Sequence, residues 1–111
     1  MQVAAPAGCE AEARAFYGAL LGLGELPKPE PLALRGGCWF RAGAQEVHVG
    51  VEEPFAPAHK AHPGFVAVDL DALAARLTGE GIAVTWDDAI PGTKRFHTTD
   101  PFGNRLEFRQ A

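Results

Sequence analysis

Side chains capable of metal or acid–base chemistry stand on several strand-like stretches of this sequence. Glu107 lies in Asn104 to Arg109, where Arg105, Glu107 and Arg109 fall on one face and Leu106 and Phe108 on the other. A carboxylate turned away from the apolar side chains can line a polar cavity or pair with a neighbouring arginine on a solvated face. His48 lies in Gln45 to Val51, where Val47, Val49 and Val51 alternate with Glu46, His48 and Gly50. An imidazole there is a competent ligand for zinc, iron, nickel or manganese, and equally a half-buried strand histidine bonded to a neighbour. His97, in Arg95-Phe96-His97-Thr98, either lines a cavity or faces solvent, and His59 reads as solvated beside Lys60. Arg41, Arg95 and Arg105 could receive an anionic substrate, although surface arginine is the default. No nucleophile stands at a recognisable spacing from a base, and no glycine-rich phosphate loop joins a strand to a helix. Cys9 and Cys38 show neither metal-type spacing nor a disulfide framework, and both read as inert.

These side chains need elements to hold them. Ala13, Phe16, Tyr17, Leu20 and Leu21 recur at helical spacing and predict a helix from about Glu10 to Leu21, stopped by Gly22 and Gly24. Pro6-Ala7-Gly8 separates it from a short strand, Gln2 to Ala5. Pro27, Pro29 and Pro31 predict a stiff extended connector. Strands are expected at Leu32 to Arg35, Cys38 to Ala42 and Gln45 to Val51, with Gly36-Gly37 breaking the first from the second. Glu52 to Pro63 carries Pro54, Pro57 and Pro63 and reads as a linker. The pattern then restarts: a strand at Phe65 to Val68, and a helix with Leu70, Leu73, Ala74 and Leu77 on one face and Asp69 or Asp71 as its N-cap. Ile82 to Trp86, Thr93 to Thr98 and Asn104 to Arg109 follow as strands parted by turns.

The order is therefore βαβββ, linker, βαβββ. This predicts one α+β domain over 1–111, with a first module at 1–53, a linker at 54–63 and a second module at 64–111. A unit repeated over half the chain implies that one copy cannot bury its sheet face alone. The repeat makes His48 the counterpart of Glu107. Bulk properties agree with an ordinary globular domain: 111 residues, 47% hydrophobic and 22% charged. A formal charge of −4 provides no basic field for a phosphate backbone, so nucleic acid is not an expected partner. No apolar run approaches a bilayer span, and Met1 to Pro6 does not resemble a secretion signal, so no membrane partner and a cytoplasmic location are expected.

Three stretches carry a resemblance. Ala13-Arg14-Ala15-Phe16-Tyr17-Gly18-Ala19-Leu20-Leu21-Gly22 is similar to an "AxxFYxxxLG" helix. His62-Pro63-Gly64-Phe65-Val66-Ala67-Val68-Asp69-Leu70-Asp71-Ala72-Leu73 is similar to "HxAFxVxDLDAL". Asp100-Pro101-Phe102-Gly103-Asn104-Arg105-Leu106-Glu107-Phe108 looks like "DPxGNxxEF". In this order and spacing they resemble the vicinal-oxygen-chelate superfamily of glyoxalases, bleomycin-resistance proteins and extradiol dioxygenases. The resemblance implies two βαβββ modules forming a partly open, barrel-like mixed sheet. It also implies metal ligands at the first and last strands of each module.

Carried over residue by residue, the resemblance puts His62 and Glu107 at ligand positions of the second module and His48 at the closing position of the first, where relatives often have Glu or Gln. The slot equivalent to His62 in the first module falls immediately before Met1, so either the start lies upstream or that ligand is missing. His48, His62 and Glu107 would then form a two-histidine, one-carboxylate set for a divalent metal (Zn, Fe, Ni or Mn), with Glu107 also the catalytic residue. Two functions follow. One is a metal-dependent lyase, isomerase, dioxygenase or transferase acting on a small molecule that chelates through adjacent oxygens. The other is a metal-free small-molecule-binding protein of the bleomycin-resistance kind. A homodimer is expected in either case.

Overall fold

A computed structural model describes residues 1–111, which divide into two compact units, Met1–Pro57 and Ala58–Ala111. The chain is α+β, and each unit contains one four-stranded mixed sheet. No helix is long and apolar enough to cross a membrane.

In the first unit, β1 (Gln2–Ala5), β2 (Gly24–Leu26), β3 (Cys38–Ala42) and β4 (Gln45–Val51) lie in the order β1-β4-β3-β2. β1 runs parallel to β4, and the other pairs are antiparallel. The predicted alternation of β4 holds: Val47 and Val49 are fully buried, whereas His48 is half-buried on the opposite face. The helical segment starts as α1 (Glu10–Ala13) and continues as a π-helix over Arg14–Leu20, with Leu21 N–H donating to Phe16 C=O at 2.9 Å. Ala13, Phe16 and Tyr17 are its buried residues, and the Tyr17 ring packs 5.8 Å from that of Phe40 on β3. Removing such side chains from water stabilises the unit by roughly 1.5–3 kcal/mol each.

One expected strand is corrected. Leu32–Arg35 is a 3-10 helix, held by Ala33 N–H to Pro29 C=O and Leu34 N–H to Pro31 C=O, each 3.1 Å. The edge of β3 that it would need is occupied by β2, through Gly24↔Arg41 and Leu26↔Trp39. Leu34 is consequently 82% exposed. Gly37, just before β3, has φ of +85°, and a Cβ there would lie 2.1 Å from the Val49 carbonyl oxygen. Only glycine allows the chain to pass that close to β4.

In the second unit, β5 (Gly64–Ala67), β6 (Thr85–Asp87), β7 (Arg95–Thr99) and β8 (Arg105–Gln110) take the order β5-β8-β7-β6, again with one parallel pair, β5 and β8. α2 (Leu70–Gly79) begins at Asp69, whose side chain accepts the Ala72 N–H at 3.1 Å, the expected N-cap. Leu70, Leu73, Ala74 and Leu77 are buried, as are Phe96, Leu106 and Phe108 of the sheet. The strand expected at Ile82 to Trp86 is shorter and later, Thr85–Asp87. In the turn before β8, Asp100 Oδ1 accepts the N–H groups of Phe102 and Asn104, both at 2.9 Å, and Oδ2 accepts Asn104 Nδ2 at 2.9 Å. That clasp explains the local sequence Asp-Pro-Phe-Gly-Asn and fixes where β8 starts.

The two sheets repeat one another in register. Gln2 pairs with His48 as Gly64 pairs with Glu107, and Trp39 faces His48 as His97 faces Glu107.

Candidate metal centre

Glu107 occupies the middle of β8 with its side chain on the face opposite Leu106 and Phe108, yet it is only 5% exposed. What covers it is polar. His62 stands two residues before β5, and the chain there is pinned to β8 because Glu107 N–H donates to Pro63 C=O at 3.1 Å. The His62 ring then reaches Glu107, with Nε2 3.0 Å from Oε1. His97 lies directly opposite on β7, its Nε2 3.5 Å from the same oxygen. The two imidazoles meet edge to face, centroids 5.5 Å apart.

Two arginines complete the shell. Arg109 Nε donates to Glu107 Oε2 at 2.6 Å, and Arg95 Nη1 lies 3.2 Å from Oε1. Arg95 Nη2 also donates to Asp87 Oδ2 at 2.9 Å, while Arg95 Nε is buried without a partner. The hydrogen bond from Arg109 pulls the Glu107 carboxyl down to about 2, burial pushes the other way, and the bonds from His62 and Arg95 reinforce the drop. Glu107 is therefore anionic at neutral pH. The His97 pKa is lowered, first by burial and then by the charge of Arg105, against the opposing pull of Glu107. Asp87 is lowered chiefly by the Ala89 N–H.

The tautomer of His62 follows from its partners. Nδ1 lies 2.9 Å from the Lys60 carbonyl oxygen, which can only accept, so Nδ1 carries a hydrogen. In the neutral ring Nε2 is then a bare lone pair facing a carboxylate oxygen. Two such atoms at 3.0 Å repel unless a positive species lies between them, either a second ring proton or a metal ion. Metal-ligating histidines usually donate their other ring nitrogen to a backbone carbonyl or carboxylate in this way.

The two spacings to Glu107 suit an ion. The ligand atoms of His62, His97 and Glu107 all lie within 4.8 Å of one another. Donors sharing a zinc at about 2.0–2.2 Å stand roughly 3–3.6 Å apart, which accommodates both contacts to Glu107 Oε1.

The second unit thus brings together His62 and Glu107, both anticipated, and adds His97, whose face alternation fixes but whose burial it does not. Arg95 and Asp87 were not anticipated as parts of one network. His48 belongs to the first unit. Its Nε2 is 2.8 Å from Glu46 Oε1, its ring stacks on Trp39 at 4.0 Å with 3° between planes, and its N–H donates to Met1 C=O at 2.9 Å. Cys9 and Cys38 are buried free thiols, and burial, the larger cause, pushes the Cys9 thiol up to about 12, so neither is activated.

The repeated sheets point to a class of fold. The sequence profile of the Glyoxalase/Bleomycin resistance protein/Dioxygenase superfamily matches residues 2–108, and the chain belongs to that superfamily. A glyoxalase family protein from Bacillus anthracis is 55% identical, superposes with a TM-score of 0.95, and the match covers 98% of this chain and 89% of that one. Lactoylglutathione lyase from Agrobacterium tumefaciens has the same fold at 24% identity (TM-score 0.73, 100% and 92% covered). So does TnmS3, an antibiotic binding protein from Streptomyces sp. CB03234, at 22% identity (TM-score 0.71, 98% and 92% covered). No functionally curated protein matches the sequence.

Proposed function

We propose that the chain is a divalent-metal enzyme acting on a small molecule that presents two adjacent oxygens, with His62, His97 and Glu107 as ligands from the second unit. The observation that carries this reading is the convergence of His62, His97 and Glu107, whose ligand atoms all lie within 4.8 Å of one another while His62 Nδ1 rests on the Lys60 carbonyl oxygen. The ion would be zinc, iron, nickel or manganese, and when bound it would polarise the substrate oxygens as a Lewis acid. Glu107 supplies the one negative charge among the three ligands, and Arg109 holds its Oε2 so that Oε1 stays turned toward the histidines. Within this reading Glu107 is both a ligand and the catalytic residue. His48 remains a candidate from the first unit, to be judged by its own variant. The reading also has the protein as a cytoplasmic homodimer, which light scattering and cell fractionation test.

A second reading has its own support. Arg95 and Arg109 already satisfy the Glu107 carboxylate without an ion. The protein would then bind a small molecule without metal, as a sequestering protein does. Metal analysis of purified wild type, His48→Ala, His62→Ala, His97→Ala and Glu107→Gln separates the two. Stoichiometric metal in wild type and its loss in the last three supports the enzyme; equal metal content throughout rejects it.

A further inference from the structure

We infer that Arg105 and the pocket it borders receive the carboxylate of a small organic acid, beside the His62–His97–Glu107 cluster. Strand register places the parts. Thr99 pairs with Arg105 and Thr85 with His97, so these four side chains share the face that carries Glu107. They line a pocket of about 320 Å³ together with His59 and Gly103. That volume is at the small end of ligand sites, which run from about 300 to 1,000 Å³, and it suits a small acid over a large aromatic drug.

Charge selects the ligand. Arg95 is tied to Asp87 and Glu107, and Arg109 is tied to Glu107. Arg105, on the same face and half-buried, has no carboxylate partner. Three guanidinium groups thus meet two carboxylates, and the single uncompensated positive charge is the one on the pocket wall. A planar guanidinium binds a carboxylate through two parallel N–H···O bonds, and the exposed hydroxyl side chains of Thr85 and Thr99 add donors alongside. One unit of charge matches a carboxylate monoanion better than a phosphate dianion. The inference deepens the proposed function by giving its substrate an acidic group, but anion binding at Arg105 does not itself require a metal.

Calorimetric titration of the full chain, once stripped with EDTA and once loaded with Zn²⁺, tests it with pyruvate, methyl pyruvate and inorganic phosphate as probes. In the stripped protein, pyruvate is expected to bind saturably and methyl pyruvate not to bind. Arg105→Ala should weaken pyruvate by about tenfold or more, Arg105→Lys by less, and Arg41→Ala, an exposed arginine of the first unit, not at all. Thermal unfolding of each variant checks the fold, and Arg105→Lys preserves the charge should the alanine variant not fold. Absent pyruvate binding, equal binding by Arg105→Ala, equal binding of the methyl ester, or a preference for phosphate over pyruvate would each overturn the inference. A failure of the metal reading appears elsewhere, as Zn²⁺ making no difference to pyruvate affinity while the Arg105 dependence persists.

Discussion

His62 and Glu107 are 45 positions apart in the chain, yet His62 Nε2 sits 3.0 Å from Glu107 Oε1. The contact exists because β5 runs parallel to β8 with Gly64 opposite Glu107, which leaves His62 two residues upstream, level with the carboxylate. The βαβββ order that pairs the first strand of the unit with its last therefore also assembles the centre.

Glu107 should make stability fall in acid in a defined window. Its folded pKa, about 2, is below its ordinary value of 4.5. Its contribution is thus fully present above about 4.5 and disappears as pH drops through about 2. Urea unfolding of wild type and Glu107→Gln should differ by roughly 2–3 kcal/mol at pH 7, and the difference should shrink toward zero near pH 2. A difference that does not change with pH would contradict this.

Gly37→Ala should destabilise the first unit by about 2–4 kcal/mol, because both its positive φ and the Val49 carbonyl oppose a side chain. Gly22→Ala is the control: it shares a positive φ but has nothing within 4 Å of the added Cβ, so its cost should be closer to about 1 kcal/mol. The urea midpoints of the two variants decide between steric contact and backbone strain.

Much of this was legible in the sequence, and the misses have physical causes. Helical spacing in Leu70, Leu73, Ala74 and Leu77, and strict alternation in Val47 to Val51, each bury a face and so leave a clear trace. Leu32–Arg35 alternates weakly and buries nothing, so its pattern could not tell a strand from a 3-10 turn. β2, three residues long between glycine and proline, has no periodicity of its own; its place is set by pairing with β3. The π-helical widening of Arg14–Leu20 leaves the apolar positions unchanged and so is invisible in them. At the site, His62 and Glu107 were marked by their motifs. The Asp87–Arg95–Glu107 chain was not, because it depends on cross-strand register, which turn lengths alone do not specify.

Asp100→Ala should cost roughly 2–4 kcal/mol, since the donors of Phe102 and Asn104 would lose their acceptor in a turn whose two ends, Asp100 and Asn104, are buried. The same turn sets the start of β8, so the variant should also disturb Glu107. Backbone NMR shifts reaching Glu107 and His97 are expected; shifts confined to 100–104 would mean that the turn does not govern the centre.

Anomalous diffraction from crystals grown with Mn²⁺ or Zn²⁺, measured at the metal's absorption edge, tests the metal centre most directly. A peak bounded by His62 Nε2, His97 Nε2 and Glu107 Oε1 is expected, with His62 Nδ1 still on the Lys60 carbonyl. Clean density there with no anomalous peak, and Arg95 and Arg109 still clasping the carboxylate, would contradict it.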